Sequence, residues 1–162
     1  MNTKNLFFAD PYNDNHVKLF NEFEESNKIK NNITSYLNEI RTLYSKEKYQ
    51  KLLNEQNETY EIVFSLENDK IKDSCYIRKE RDRKICELYF APLNTTKNRQ
   101  LLTDVSNYVL DRLGMEQIFV SISPLDKNLQ LNLEAKGFEN IGTVNGDLTF
   151  IKENKKEVRR VR

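Results

Sequence analysis

The chain has 162 residues, the size of one ordinary domain, so a single hydrophobic core is expected. Lysine and arginine total 26 against 25 aspartate and glutamate residues, and the resulting charge of +1 provides no overall field to attract nucleic acid or anionic lipid. Two cysteines and one histidine exclude a disulfide framework, a four-thiolate metal site and a histidine-rich zinc site. These counts lead us to expect no metal. No run of about 18 apolar residues occurs, so we expect no membrane segment, and the apolar stretch near the start is too short for a secretory peptide, which predicts a cytoplasmic location.

The first half of the sequence changes from helical to strand periodicity at Tyr60. Asn13 is a candidate cap for a helix, and apolar side chains then recur at three- and four-residue steps from residue 33. From Tyr60 onward apolar and polar residues alternate, which indicates strands joined by short turns. The elements predicted here are a buried strand at 5–9, helices at 13–23 and 33–44, the second continuing or restarting through 53, and strands at 60–66, 71–78 and 85–91.

The three consecutive strands predict an antiparallel meander with a turn at residues 81–83. In that arrangement Cys75 and Cys86 are expected to lie opposite each other as reduced core thiols.

The second half alternates helices with strands. Gly114 is expected to end a helix in the left-handed conformation, Ser123 to cap the next helix, and Asn145-Gly146 to form a hairpin turn. The elements predicted here are a helix at 101–113, a strand at 117–122, a helix from 123 to 137, and strands at 138–143 and 148–151.

Strand–helix–strand units in this half require crossover connections, so the central sheet is expected to be mixed. The sequence therefore predicts an α/β (α+β) fold with one domain over residues 1–152 and a basic tail over residues 153–162. The tail is either solvated or in contact with nucleic acid or an acidic partner, and the solvated state is the usual one.

Two fragments carry a resemblance to a known family. Residues 134–138 (Glu-Ala-Lys-Gly-Phe) keep a glycine–phenylalanine pair after a helix, and residues 87–92 (Glu-Leu-Tyr-Phe-Ala-Pro) continue through a polar loop into Leu101-Leu102. Together with the order of elements, they resemble the GNAT superfamily of N-acetyltransferases, and the match covers nearly the whole chain to about Lys152. The resemblance implies a single-domain fold with a central mixed sheet flanked by helices.

The resemblance also implies acetyl-CoA as co-substrate. Its pyrophosphate would lie on the loop that opens the helix after the central strand, since a helix N-terminus offers unpaired N–H groups and a positive dipole end. The glycine positions of the family's loop hold Asn94, Thr96 and Asn98 here, and only asparagine is a good substitute in left-handed geometry. The cofactor-binding residues implied are Tyr89, Phe90, Ala91, Thr95, Thr96, Lys97, Asn98, Arg99 and Asn128.

Glu87 is the candidate catalytic base, because it is a charged residue inside an otherwise apolar strand and a carboxylate can deprotonate an amine. Alternatively, Glu87 points to solvent or pairs with Arg83 or Lys84. The family often places a tyrosine acid four residues before the glycine–phenylalanine pair, where this chain has Leu133. Tyr108 is a conceivable substitute, although its helical spacing favours the core.

The resemblance implies acetyl transfer to an unidentified small-molecule or peptide amine, by direct attack in a ternary complex. The alternative is a GNAT-fold binding or regulatory module without turnover, which the missing glycines and Leu133 favour. Tyr36, Tyr44 and Tyr49 either line an acceptor pocket or pack in the core. The sequence indicates no role in nucleic-acid binding beyond the tail, and it leaves open the acyl-chain length and the choice between monomer and homodimer.

Overall fold

The computed structural model describes residues 6–29, 33–55, 58–80, 82–91 and 98–154. These residues form five α-helices and seven strands, and a π-helical segment, Tyr108–Arg112, extends the fourth helix. The helices are α1 (Asp14–Asn27), α2 (Ile33–Leu43), α3 (Lys46–Glu55), α4 (Asn98–Asn107) and α5 (Lys127–Ala135). The strands are β1 (Phe7–Phe8), β2 (Glu58–Glu67), β3 (Lys70–Glu80), β4 (Ile85–Ala91), β5 (Gln117–Ile122), β6 (Glu139–Val144) and β7 (Asp147–Glu153).

All seven strands form one sheet in the order β1-β2-β3-β4-β5-β7-β6. Strands β4 and β5 pair in parallel, and the other neighbouring pairs are antiparallel. The parallel pair requires a crossover, which α4 provides between the ends of the two strands. The meander, the mixed sheet and the α/β class expected from the sequence are therefore confirmed.

Each face of the sheet carries its own apolar cluster. On one face α4 and α5 pack over the centre of the sheet, with Leu102, Leu129 and Leu133 fully buried. On the other face α1 and α2 cover β2 and β3, with Phe20 and Phe64 in edge-to-face contact at 5.3 Å between ring centroids. Because side chains alternate along a strand, neighbouring residues of β4 belong to different faces. This alternation decides which residues face the site described below.

Three local expectations hold. Asn13 caps α1, and its side-chain oxygen accepts hydrogen bonds from the N–H groups of Asn15 (2.9 Å) and His16 (3.2 Å). The hairpin between β6 and β7 turns at Asn145 and Gly146, which both have positive φ, as the two-residue hairpin turn requires. Gly114 has φ +68, although it follows the π-helical segment rather than a regular α-helix.

None of the helices in the described part of the chain is long and apolar enough to cross a membrane.

Two local expectations are wrong. Cys75 pairs with Phe90 and Cys86 with Lys79, so the two thiols are four residues out of register. The reason is that the hairpin is centred midway between Glu80 and Ile85, at the predicted turn, and this centre lies two positions beyond the midpoint of Cys75 and Cys86. The cap of α5 is Asp126, whose carboxylate accepts from the N–H of Leu129 at 3.1 Å, because Ser123 instead closes a separate turn before the helix.

Candidate active site at the opening between two parallel strands

The pairing of β4 with β5 ends before either strand does. Four residue pairs connect them, from Ile85↔Gln117 to Leu88↔Val120. Beyond that point β4 still pairs with β3 as far as Ala91, and β5 still pairs with β7 as far as Ile122. Among the described residues, the last three of β4 and the last two of β5 therefore have no partner across the opening. Backbone N–H and C=O groups in such an opening are available to a bound molecule.

Two helices begin at the same edge of the sheet as this opening. Parallel strands place their carboxyl ends together, and the helices that follow them, α4 and α5, start at Asn98 and Lys127. A helix N-terminus favours anions because its first N–H groups have no partner within the helix. The edge thus combines an unpaired strip of backbone with two positive dipole ends.

Glu87 lies beside the opening, on the face covered by α1 and α2. The guanidinium of Arg78, directly opposite on β3, donates to Glu87 Oε1. The hydroxyl of Tyr89 donates to Glu87 Oε2 at 2.5 Å. The Glu87 side chain remains 32% exposed, so its carboxylate is hydrogen-bonded yet open to solvent. Of the two partners suggested by the sequence, Arg83 is bound to Glu80 instead.

A row of side chains crosses the sheet through Glu87. Tyr60 pairs with Arg78, Arg78 with Glu87, and Glu87 with Phe119, so these residues share one face. Since neighbouring strands lie about 4.8 Å apart, Tyr60 is ~10 Å from Glu87 along this row. The row connects the opening to a group of aromatic side chains.

That aromatic group consists of Tyr36, Tyr60, Tyr76 and Tyr89, called here the tyrosine cluster. Tyr76 lies at its centre, with ring centroids 4.9 Å from Tyr60, 6.1 Å from Tyr36 and 6.2 Å from Tyr89. Burial raises the pKa of Tyr76 to about 12, and burial together with neighbouring tyrosine hydroxyls raises the pKa of Tyr36. Both phenols are therefore neutral at physiological pH, and they present aromatic surface with uncharged hydroxyl groups.

A cavity of about 350 Å³ adjoins the tyrosine cluster. It lies between α2, α3 and the segment that follows β1, and two carboxylate residues, Asp10 and Glu61, are among its lining residues together with Lys46. Its aromatic lining comprises Phe8, Tyr12, Tyr36, Tyr49 and Tyr60. Tyr36 and Tyr49 thus line a pocket, as one of the two interpretations of the sequence expected, whereas Tyr44 contributes its carbonyl oxygen to the Tyr12 hydroxyl at 2.9 Å.

The residues suggested for cofactor binding divide into three groups. Thr95, Thr96 and Lys97 lie outside the described residues. Ala91 ends β4 and Asn98 and Arg99 begin α4, so the structure places their backbone at the edge described above.

Tyr89, Phe90 and Asn128 are described with their side chains. Tyr89 is 41% exposed beside the opening, whereas Phe90 points into the core and offers a ligand only its backbone. Asn128 is exposed on the first turn of α5.

The substitute acid suggested by the sequence, Tyr108, is not near Glu87. Leu133, which stands where the family has its tyrosine acid, is fully buried in the core. Tyr108 lies on the opposite face of the sheet, where its hydroxyl donates to the Glu61 carboxylate at 2.8 Å from Oε2. Lys79 Nζ is 3.5 Å from the same carboxylate, so Tyr108 belongs to a buried polar group that stabilises the fold.

Solved structures similar to this one include N-acetyltransferases. PseH of Campylobacter jejuni in complex with acetyl coenzyme A has a TM-score of 0.60 at 12% identity, covering 91% of this chain and 98% of that chain. This chain has the GNAT fold. A mutant form of the spermidine N-acetyltransferase SpeG of Vibrio cholerae has a TM-score of 0.65 at 14% identity, covering 97% and 99%. A putative ribosomal-protein-serine acetyltransferase of Vibrio cholerae has a TM-score of 0.61 at 10% identity, covering 94% and 95%.

The GNAT fold of this chain is confirmed by structure and not by sequence similarity. No protein-family model matches the sequence, and no curated protein does either. At 10–14% identity, these similar structures share the arrangement of elements, while few side chains correspond.

Sequence reasoning missed several residues that this GNAT fold brings to the site. Arg78 and Tyr76 lie on β3, and both reach the site only because β3 pairs with β4 in the observed register. The available signal was the tyrosines of the meander. Tyr76 lies two residues from Arg78, and Tyr89 lies two residues from Glu87, so each shares a face of the sheet with its neighbour in the row through Glu87, to which Tyr60 also belongs. Without the register, that signal does not identify neighbours.

Proposed function

We propose that this protein is an acetyl-CoA-dependent N-acetyltransferase that transfers the acetyl group directly to an amine in a ternary complex. The observation that carries the proposal is the end of pairing between β4 and β5, at an edge where two helices begin. A pantetheine arm fits between separated strands, because their backbone groups supply the hydrogen bonds that it needs. The similar structure of PseH holds acetyl coenzyme A in the same fold.

The co-substrate would be held at two places. Residues 94–99, including Lys97 and Arg99, would hold the pyrophosphate at the start of α4, where charge and the helix dipole act together. The free backbone edge of Tyr89–Ala91 would bind the pantetheine arm and polarise the thioester carbonyl. Acetyl-CoA supplies the activated acetyl group, and the chain supplies position and electrostatic stabilisation.

Glu87 would be the base. Its carboxylate is solvent-accessible and lies next to the opening, so it can accept a proton from an amine directly or through water. The hydrogen bond from Arg78 to Glu87 Oε1 supports this role by fixing the orientation of the carboxylate beside the opening.

The acceptor would enter from the face of the tyrosine cluster. The cavity beside the cluster is ~10 Å from Glu87, measured as two strand spacings from Tyr60. An extended amine of that length reaches both places. The SpeG structures are described as spermidine N-acetyltransferases, which makes polyamines a reasonable first set of acceptors to test.

The first experiment measures acetyl-CoA binding by calorimetry and then screens acceptors by mass spectrometry. The screen includes polyamines, short peptides with free N-termini and peptides containing lysine. Acetylated product from one class supports the transferase. If acetyl-CoA binds but no acceptor is acetylated, the GNAT-fold binding module becomes the better interpretation, which the burial of Leu133 at the position of the family's tyrosine favours.

A second experiment tests the base. Glu87→Gln should lower kcat by about 100-fold or more, the usual contribution of a general base, while leaving acetyl-CoA affinity unchanged. Glu80→Gln is the matched control, because Glu80 Oε1 is 3.8 Å from the same Arg78 guanidinium but belongs to the far end of β3. Equal losses in the two variants would contradict the assignment of Glu87.

A third experiment tests the pyrophosphate segment. The double variant Lys97→Ala, Arg99→Ala should weaken acetyl-CoA binding by about tenfold or more, the order of two lost charge-assisted contacts, whereas Lys18→Ala, Lys51→Ala removes the same charge from exposed helix positions elsewhere. If both double variants bind acetyl-CoA with the same affinity as the natural chain, residues 94–99 do not hold the pyrophosphate.

A further inference from the structure

Acetyl transfer from a thioester to an amine requires two proton movements. The attacking nitrogen must lose a proton, and the leaving thiolate must gain one to become a stable thiol. A carboxylate alone accounts for the first movement. The inference below, which rests on the proposed function, concerns the second.

Tyr89 is placed to provide that second proton. It lies two residues after Glu87 on the same face of β4, and it directly follows the last residue that pairs with β5. Its hydroxyl donates to Glu87 Oε2 at 2.5 Å, and the side chain is 41% exposed. Phenol and base are therefore already joined by a hydrogen bond at the mouth of the opening.

Neighbouring side chains fix the positions of Glu87 and Tyr89. Arg78 occupies Glu87 Oε1, which leaves Oε2 for the Tyr89 hydroxyl. The ring of Tyr76 contacts that of Tyr89 with an interplanar angle of 66°, which limits its rotation. A phenolate is a much stronger base than a carboxylate, so a proton that Glu87 receives from the amine passes to Tyr89 once Tyr89 has given up its own.

Other ionisable hydroxyl and thiol groups among the described residues are less well placed. Compared with Tyr89 on β4, Tyr76 on β3 is one strand farther from β5, and Tyr60 on β2 is two strands farther. Tyr108 is on the opposite face, bound to Glu61. The thiols of Cys75 and Cys86 are fully buried, and burial raises the pKa of each.

We propose that Tyr89 is the general acid of the reaction and that it exchanges its proton with Glu87. The amine enters as the free base, and its nitrogen forms the bond to the thioester carbonyl carbon. The carbon–sulfur bond breaks, and the Tyr89 hydroxyl proton moves to the sulfur. The proton released by nitrogen passes to Glu87 and then along the existing hydrogen bond to Tyr89. One proton has moved from nitrogen to sulfur, and both side chains return to their starting states.

The kinetic test compares Tyr89→Phe with Tyr44→Phe. Both changes remove one tyrosine hydroxyl, and only the first removes the hydrogen bond to Glu87, because Tyr44 follows the end of α2 outside the tyrosine cluster. Tyr89→Phe should lower kcat by about 100-fold with unchanged KM for acetyl-CoA, the usual contribution of a general acid. An aryl thioacetate, whose leaving group needs no proton, should react equally with the natural chain and with Tyr89→Phe.

A binding measurement tests the same contact without turnover. At a pH of about 9, above the ordinary thiol pKa of about 8.5, coenzyme A carries a thiolate that the Tyr89 hydroxyl can bind. The natural chain should then bind coenzyme A about tenfold or more tightly than desulfo-coenzyme A, as a hydrogen bond to a charged atom provides. Tyr89→Phe should remove this difference.

The outcomes separate this inference from the proposed function. If the natural chain acetylates an amine and Glu87→Gln impairs it, while Tyr89→Phe keeps full kcat, the acid is another group and the transferase stands. If the natural chain neither binds nor uses acetyl-CoA, both proposals are wrong. Equal affinity for coenzyme A and desulfo-coenzyme A at alkaline pH would likewise overturn the role of Tyr89.

Discussion

Glu24 is a buried carboxylate that we expect to determine whether α2 begins at Ile33. It lies on α1, and its two oxygens accept hydrogen bonds from the N–H of Ile33 (2.5 Å), the N–H of Thr34 (3.0 Å) and the hydroxyl of Thr34 (2.5 Å). Glu24 is 6% exposed. It thus serves as a cap supplied by another helix, and its negative charge also faces the positive end of the α2 dipole.

The magnitude follows from the groups left without a partner. Glu24→Ala orphans two backbone N–H groups, while the Thr34 hydroxyl can rotate toward water. Hydrogen bonds to charged groups contribute about 1.5–3 kcal/mol each, and helix caps about 1 kcal/mol. Because water reaches part of this helix end, we expect the free energy of unfolding to fall by about 2–4 kcal/mol. Glu24→Gln retains one acceptor oxygen and should lose about half of that.

Equilibrium denaturation with urea measures these differences, and Glu25→Ala is the control. Glu25 is the next residue on α1 and is exposed, so its replacement should change stability by no more than about 0.5 kcal/mol. Hydrogen exchange of the Ile33 and Thr34 amides should accelerate in Glu24→Ala only. If Glu24→Ala is as stable as Glu25→Ala, the carboxylate does not hold α2 in solution.

Three further predictions concern single groups. Burial lowers the pKa of His16, an effect that Asp10 opposes. Because the unfolded chain then binds the proton more readily than the folded chain, the free energy of unfolding should fall as the pH drops below about 6.5. His16→Asn should remove that fall when denaturation curves are measured at several pH values. Burial raises the pKa of Cys86 to about 12 and that of Cys75 well above its ordinary value. Iodoacetamide should therefore label neither thiol in the folded protein at mildly alkaline pH, and rapid labelling seen by mass spectrometry would contradict their burial. Asp126→Ala should cost about 1 kcal/mol in thermal or chemical unfolding, and Ser123→Ala under about 0.5 kcal/mol, since only Asp126 caps α5; the reverse order would contradict that cap.

The sequence predicts the elements of this fold well where local chemistry determines them. Strands β4 and β5 were expected at 85–91 and 117–122, where the structure has them. Alternation of apolar residues and the turn dipeptide Asn145-Gly146 act over a few residues, so a single sequence contains them. The crossover that makes the sheet mixed follows from the order of elements.

Register and neighbours could not be predicted in the same way. Cys75 and Cys86 lie four positions out of register because the hairpin is centred two positions beyond their midpoint, and the expectation that they face each other did not take the position of the turn into account. The site depends on the same register, because Arg78 reaches Glu87 only through the pairing of β3 with β4. Glu87 was chosen as a charged residue inside an otherwise apolar strand, and Tyr89 came from the resemblance as a cofactor-binding residue. The hydrogen bond between them and the tyrosine cluster came from the structure.

The two borders of the sheet have a consequence for how copies of this chain meet. One border is β1, with only two residues, and the other is β6, where the register shifts between Asn140 and Gly142. Short or irregular border strands are poor templates for adding another strand, and this protects a sheet protein from open-ended polymerisation. Contact between copies is therefore expected through side chains, for which Ile141 and Val144 on β6 offer exposed apolar surface, and not by continuing the sheet from one molecule into the next.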